Sequence, residues 1–326
     1  LKPDTSSCLG EDVLRSFYEF YLESKLNNHK LEIINKHTNY KEYDAFIFFN
    51  YPDSKKSFVL DALNSSKKKY LLNLECPTVY PQTWDKKIFQ KFDKIFTWDD
   101  SLIDNVKIFK INTPSYPLEK IEILPKNLKK KFSVIIGSNK SSNNVNDLYH
   151  KRLEIIRWYE KNDLNDLDFF GYGWDKYVFN GPKIIRIFNK FNFLTKLLAP
   201  KFKNYQGSFD GKKVDLLKEY KFSYCVENAK GYNGYITEKI FHCFFALTIP
   251  IYLGCPNITD HIPKECFIDM RDFDSIKDIH LFLKNMPNDQ YKNYQKSIKE
   301  FLNSNKFIPF SNKYYVETLK NNILSS

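Results

Sequence analysis

The sequence predicts an α/β protein of two facing doubly wound domains, over residues 1–125 and 126–326, on three observations. Short apolar runs of strand length alternate with helical patterns in two separate series, the rhythm of parallel sheets covered by helices. A basic stretch with three prolines, residues 113–131 (TPSYPLEKIEILPKNLKKK), interrupts the series and reads as a linker. The length of 326 residues, 42% of them hydrophobic, suits two cores better than one and excludes global disorder.

Residues 11–26 (EDVLRSFYEFYLESKL) place apolar side chains at helical spacing. Residues 31–34 and 45–49 (AFIFF), 70–74 (YLLNL) and 94–98 (KIFTW) read as short buried strands. After the linker the rhythm restarts, with strands at 132–136, 168–170, 221–226, 248–253 and 266–269, helices at 148–161 and 235–246, and a helical tail. Residues 176–208 are basic and aromatic, contain Pro182 and Pro200, and fit no regular element, so they read as an insert.

Lys and Arg number 50 against 39 Asp and Glu, so the formal charge is +11. That balance suits an anionic partner such as a nucleotide or an anionic membrane surface, and equally a Lys-rich solvated surface. No basic run exceeds Lys67–Lys69 or Lys129–Lys131 and no nucleic-acid motif occurs, so no nucleic-acid partner is expected. The six cysteines form no CxxC pair and show no zinc spacing; most lie in apolar runs, as buried thiols do. This favours a reducing compartment, although six thiols can also pair. The first residues read as neither signal peptide nor anchor, and the longest apolar stretch, 240–253, is too short to cross a bilayer.

The densest chemistry lies at 222–239, FSYCVENAKGYNGYITEK. A strand ends at Val226 and delivers Glu227 and Asn228 to its carboxyl edge; Gly231 and Gly234 permit a tight loop; a helix follows. Backbone N–H groups at a helix start attract phosphate, Lys239 adds a full positive charge, and Glu238 can accept from ribose hydroxyls. The plainer alternative is a Glu that steadies the helix start beside a solvated Lys. The segment is neither a P-loop nor a GxGxxG fingerprint.

Residues 226–273 resemble the donor-binding motif of the α1,3/α1,4-fucosyltransferases, glycosyltransferase family 10. The matching pieces are Val226-Glu227-Asn228, Tyr235 to Lys239, Ile249 to Gly254 and Cys266 to Phe273. Two further stretches are similar. SNKSSNNVNDLYHKRLEIIRWYE (138–160) resembles the opening of the family's donor domain, with Ser138 and Asn139 after a strand and Arg152 on the next helix. LNLECPTVYPQ (72–82) resembles the acceptor-side segment, with Glu75 before a small residue and a proline. Val226 stands where Phe is usual, and Cys76 and Cys255 where Ser is more common.

The resemblance implies a GT-B, Rossmann-like architecture and an inverting transfer of L-fucose from GDP-fucose to O3 of GlcNAc or glucose in an oligosaccharide acceptor. It implies an N-terminal acceptor-binding domain and a C-terminal donor-binding domain, with no obligatory metal. Such chemistry needs a base for the acceptor hydroxyl, cations for the departing diphosphate, and aligned sugars. Glu75 is the expected base. Arg152 and Lys239 are the expected diphosphate cations. Ser138, Asn139, Glu227, Asn228, Tyr235 and Glu238 complete the expected donor set. Tyr235 is equally a core aromatic, and His242, within IFHCFF, reads as a core histidine rather than a second base. The expected location is the cytoplasm or the cytoplasmic membrane face as a peripheral protein; the alternative is a Golgi lumenal domain trimmed from a membrane protein. Rival functions are a transferase of another nucleotide sugar, an inactive glycan-binding relative, and a basic nucleic-acid binder.

Overall fold

The computed structural model describes residues 15–52, 55–115, 131–179 and 182–324. Most of the expected linker, residues 116–130, and the start of the first helix lie outside them. The chain divides into two compact units. The first comprises Leu1–Tyr116, Tyr232–Thr237 and Phe307–Ser326; the second comprises Pro117–Gly231 and Glu238–Lys306.

In the first unit, β1 (Ala45–Phe49), β2 (Lys68–Asn73), β3 (Lys94–Thr97) and β4 (Ile108–Lys110) form a parallel sheet in that order. The strand period of two splits their side chains between two cores. Phe46, Phe48, Leu71 and Ile95 pack on one face with Ala62 and Leu63 of α2 (Ser57–Asn64) and Phe89 of α3 (Lys86–Phe89). Tyr70, Leu72 and Phe96 pack on the other with Phe20 of α1 (Arg15–Leu26) and Tyr315, Val316 and Leu319 of α12 (Asn312–Leu319). Ser311 caps α12 by accepting from the Tyr314 N–H. The tail is fastened further by Lys320 to Glu23 at 2.9 Å and by the Asn112 amide to the Pro309 carbonyl at 3.1 Å.

The second unit holds β5 (Lys131–Ile136), β6 (Leu167–Phe170), β7 (Tyr220–Val226), β8 (Ile249–Leu253) and β9 (Ile268–Asp269). The sheet is parallel, ordered β6-β5-β7-β8-β9, so the winding reverses between β5 and β7. Its helices are α4 (Tyr149–Asn162), α5 (Lys183–Arg186), α6 (Asn192–Leu197), α7 (Lys213–Leu217), α8 (Glu238–Phe245), α9 (Ile258–His261), α10 (Ile276–Asn285) and α11 (Asn288–Leu302). β7 is buried along nearly its whole length, which explains its continuous apolar run. None of the described helices is long and apolar enough to cross a membrane.

Three expectations are corrected. Residues 31–34 are not a strand: Leu31 and Ile34 are partly buried against the two cores while Ile33 is exposed, so the run pads the sheet's helices without joining a ladder. The helix expected from residue 235 begins at Glu238, because Gly234, at φ +79°, turns the chain and Tyr235–Thr237 lie in the first unit. β4, three residues at the sheet edge, carries too little pattern to be predicted. The insert forms α5, a 3₁₀ turn (Ile187–Lys190) and α6.

Candidate functional site

Open α/β sheets bind ligands beyond the carboxyl ends of their strands, where the strand order reverses. In the second unit that place lies between the ends of β5 and β7, and the sequence there is unusual. β5, β6 and β8 each end directly before a glycine, Gly137, Gly171 and Gly254. None of these positions has free room for a side chain. A Cβ on Gly171 would stand 2.1 Å from the Gly137 carbonyl oxygen, one on Gly254 2.5 Å from Glu227 Cγ, and one on Gly137 3.3 Å from Arg152 Cδ. The backbone edge is thus packed tightly against the side chains it presents. Sequence reasoning passed over Gly137 and Gly171. The available signal was a glycine immediately after a strand in a chain with only 10 glycines.

β7, the central strand, ends before Glu227, which is fully buried. Its N–H donates to the Leu253 carbonyl at 2.9 Å, continuing the ladder with β8. A buried carboxylate requires a compensating charge, and Lys239 supplies it: Nζ lies 3.0 Å from Glu227 Oε2. Arg152, on the first turn of α4, is also buried, with its guanidinium over the Tyr149 ring. Its Nη2 donates to the carbonyls of Val226 at 2.8 Å and Glu227 at 3.1 Å and to Asn228 Oδ1 at 2.9 Å. Arg152, Glu227, Asn228 and Lys239 therefore form one hydrogen-bonded group at the reversal point.

Burial raises the Glu238 carboxyl, but Lys239, Lys213 and His242 lower it further, to about 2. Burial also lowers Lys239, yet Glu227 and Glu238 more than offset it and hold the ammonium well above its ordinary value. Both groups are charged near neutral pH. Burial brings the His242 imidazole down to about 4, which keeps it neutral. At the β5 end Ser138 is half-buried, and the Asn139 side chain donates to the Gly173 carbonyl at 3.0 Å, tying the β5 loop to the β6 loop. Trp174, of the aromatic group at 172–177, is buried and donates to the Gly137 carbonyl at 2.6 Å.

Glu75 and Tyr235 lie in the first unit. Glu75 follows β2 and is half-buried on a fixed backbone: its N–H donates to Asn50 Oδ1 at 3.2 Å and its carbonyl accepts from Trp84 Nε1 at 3.0 Å. Trp98, after β3, donates to the neighbouring Leu74 carbonyl at 2.9 Å. Tyr235 is buried, with its ring 4.8 Å from that of Trp98 and its hydroxyl on the Cys76 thiol. Tyr235 thus belongs with the Glu75 loop, whereas its sequence neighbours Glu238 and Lys239 belong with β7. Asn50 and the two tryptophans that fix this loop carried no separate sequence signal.

Among the described residues, one carboxylate–imidazole group has ligand-like spacing: Asp163, Asp166 and His280. Asp166 precedes β6, at the amino edge of the sheet, and Lys284 Nζ lies 2.5 Å from its Oδ2. The described cysteines, Cys76, Cys225, Cys243, Cys255 and Cys266, are buried free thiols.

The profile of the glycosyltransferase family 10 (fucosyltransferase) C-terminal domain matches residues 199–313, which include β7, Glu227, Asn228, Glu238 and Lys239. Residues 199–313 are therefore similar to the C-terminal domain of that fucosyltransferase family. Relatives agree over parts of the chain. The α-(1,3)-fucosyltransferase FucT of Helicobacter pylori is 39% identical over 72 residues, 22% of this chain and 15% of that protein. An α-(1,4)-fucosyltransferase of Arabidopsis thaliana is 32% identical over 73 residues, 22% of this chain and 18% of that protein. Solved structures extend the likeness over nearly the whole chain as fold. An α1,3-fucosyltransferase with GDP has a TM-score of 0.53 at 17% identity, covering 97% of this chain and 88% of that one. An α-glucosyltransferase in complex with UDP and a 13-mer DNA has a TM-score of 0.56 at 11% identity, covering 96% of each. The fold is thus of the GT-B type.

Proposed function

We propose that this chain is an inverting fucosyltransferase that moves L-fucose from GDP-fucose to a hydroxyl of an oligosaccharide, O3 of GlcNAc or glucose. One observation carries the reading. Arg152, from α4, and Lys239, within the segment similar to the family 10 C-terminal domain, converge on residues 226–228, where the strand order reverses. Two fixed cations at a nucleotide-binding edge suit a departing diphosphate. Arg152 is an immobile charge under the backbone; Lys239 is partly exposed and can lend its ammonium to a phosphate oxygen. These cations do the work a divalent ion does elsewhere, so no metal is required in this scheme.

Glu75 takes the proton from the acceptor hydroxyl as that oxygen attacks the anomeric carbon from the face opposite the diphosphate. A β-linked donor then yields an α-fucoside without a covalent intermediate. Ser138, Asn228 and Glu238 serve the donor, and Glu227 sets the charge and place of Lys239.

Thermal stabilisation by GDP, GDP-fucose, UDP and ADP tests the donor: guanosine nucleotides are expected to raise Tm most, and a preference for UDP overturns the assignment. Glu75→Gln keeps the GDP shift and loses transfer by at least about a hundredfold if Glu75 is the base. Transfer that persists in EDTA supports the metal-free scheme; activity lost in EDTA and restored by a divalent ion refutes it.

A further inference from the structure

The insert between β6 and β7 exposes an unusual share of its apolar side chains while its backbone is held by a few polar contacts. The Thr195 side chain is 2% exposed and its carbonyl accepts from the Tyr177 N–H at 2.7 Å. Asn189 makes a two-way pair with the Phe179 backbone, accepting at 2.8 Å and donating at 3.0 Å. Its large apolar residues face outward: Phe193 is 80% exposed, Ile184 75% and Leu197 68%. Ile187, Phe188 and Phe191 join them at lower exposure. Scattered apolar residues on a surface are ordinary, but a dense run of them between Ile184 and Leu197 is not.

The charge of the same segment is one-sided. Between Asp175 and Asp210 the chain contains no Asp or Glu, although 39 occur overall. Lys176, Lys183, Arg186, Lys190, Lys196, Lys201 and Lys203 fall inside it. Exposed aliphatic and aromatic side chains interleaved with cations are the composition of an element that lies in a lipid–water interface. The apolar groups enter the acyl boundary, and long Lys and Arg stems carry their charges to anionic headgroups. Nucleic acid fits less well, because Ile184, Ile187 and Leu197 offer no planar face for a base.

We propose that residues 183–198 dock this chain on an anionic lipid surface. The flanking cations supply the attraction and Ile184, Phe188, Phe193 and Leu197 supply the insertion. The proposal is independent of the sugar donor and of the roles of Glu75 and Lys239.

Co-sedimentation of the full chain with vesicles tests it, using phosphatidylcholine alone and phosphatidylcholine with roughly 30% phosphatidylglycerol. Binding to the anionic vesicles is expected, with little binding to the neutral ones. Ile184→Ser with Phe193→Ser and Leu197→Ser is expected to lower partitioning at least about tenfold, since each removes an apolar side chain that would enter the acyl boundary. Arg186→Glu with Lys190→Glu and Lys196→Glu is expected to abolish the preference for anionic lipid. All six positions are exposed, so an unchanged circular dichroism spectrum and thermal midpoint show that both variants fold. No binding of the native chain to anionic vesicles overturns the proposal, as does equal binding of either folded variant. A native dimer that the serine variant converts to monomer, with vesicle binding unaltered, overturns it in favour of a second copy on this face.

Discussion

At the scale of single residues, the candidate site is defined by what does not fit. Gly254 lies so close to Glu227 and the Tyr252 hydroxyl that a methyl group there must displace one of them. Gly254→Ala is expected to cost about 1–3 kcal/mol in urea unfolding, Gly171→Ala more because its φ of +147° adds strain, and Gly137→Ala less. A Gly254→Ala chain as stable as the native one would contradict this close packing. The Glu227–Lys239 pair gives a second expectation. Lys239→Met removes the ion-pair partner of a fully buried carboxylate and is expected to cost roughly 3 kcal/mol, while adding Glu227→Gln recovers much of that loss. A double variant no more stable than Lys239→Met would show that the two do not form a unit.

Protonation at α8 sets an acid limit with a definite sign. His242 is brought down to about 4 from an ordinary 6.5, so the unfolded chain takes up that proton first and stability falls as pH drops from 6.5 towards 4. Glu238 is lowered from 4.5 to about 2, so its stabilisation is complete above 4.5 and is lost as pH falls towards 2. His242→Gln should flatten a Tm–pH curve between 6.5 and 4.5 while leaving the steeper loss below. A curve for His242→Gln with the native slope in the upper range would rule out the histidine as its source.

At the scale of elements, strands were legible where an apolar run is long enough to stand out, and helices where their stripe is long. The runs AFIFF at 45–49 and YKFSYCV at 220–226 are apolar on both faces because helices cover both faces, and that condition is written locally. Residues 31–34 have the same composition but no neighbouring strand, and composition alone cannot supply one. The group of Arg152 with residues 226–228 was legible through motif resemblance, since 74 to 76 positions separate its partners. The placing of Tyr235 against Trp98 was not, because the deciding contact is tertiary and the local pattern reads as helix. α12 was legible only as a helical tail, yet Leu319 is fully buried in the core beneath β2 and β3. Leu319→Ala is expected to cost about 2–5 kcal/mol, read as a lower urea midpoint for the first unit. An unchanged midpoint would show that α12 only rests on the sheet.

At the scale of the whole molecule, the two units are not two successive lengths of chain. The first is assembled from three segments and the second from two. An isolated fragment of residues 1–116 lacks Tyr235, Tyr315, Val316 and Leu319 and is expected to show no cooperative thermal transition by circular dichroism. A sharp transition for that fragment would mean the sheet stands without them.

The same patchwork sets a timetable for synthesis. Lys94 donates to the carbonyl of Asn322, 228 positions later, and Asn112 to that of Pro309, 197 later. Every partner needed by the second unit has been translated by Lys306, but the first unit waits for the segment from Phe307 onward to emerge. The half made earliest is therefore completed last. Until then the apolar face of β2 and β3 that α12 will cover must be shielded by a chaperone or risk aggregation.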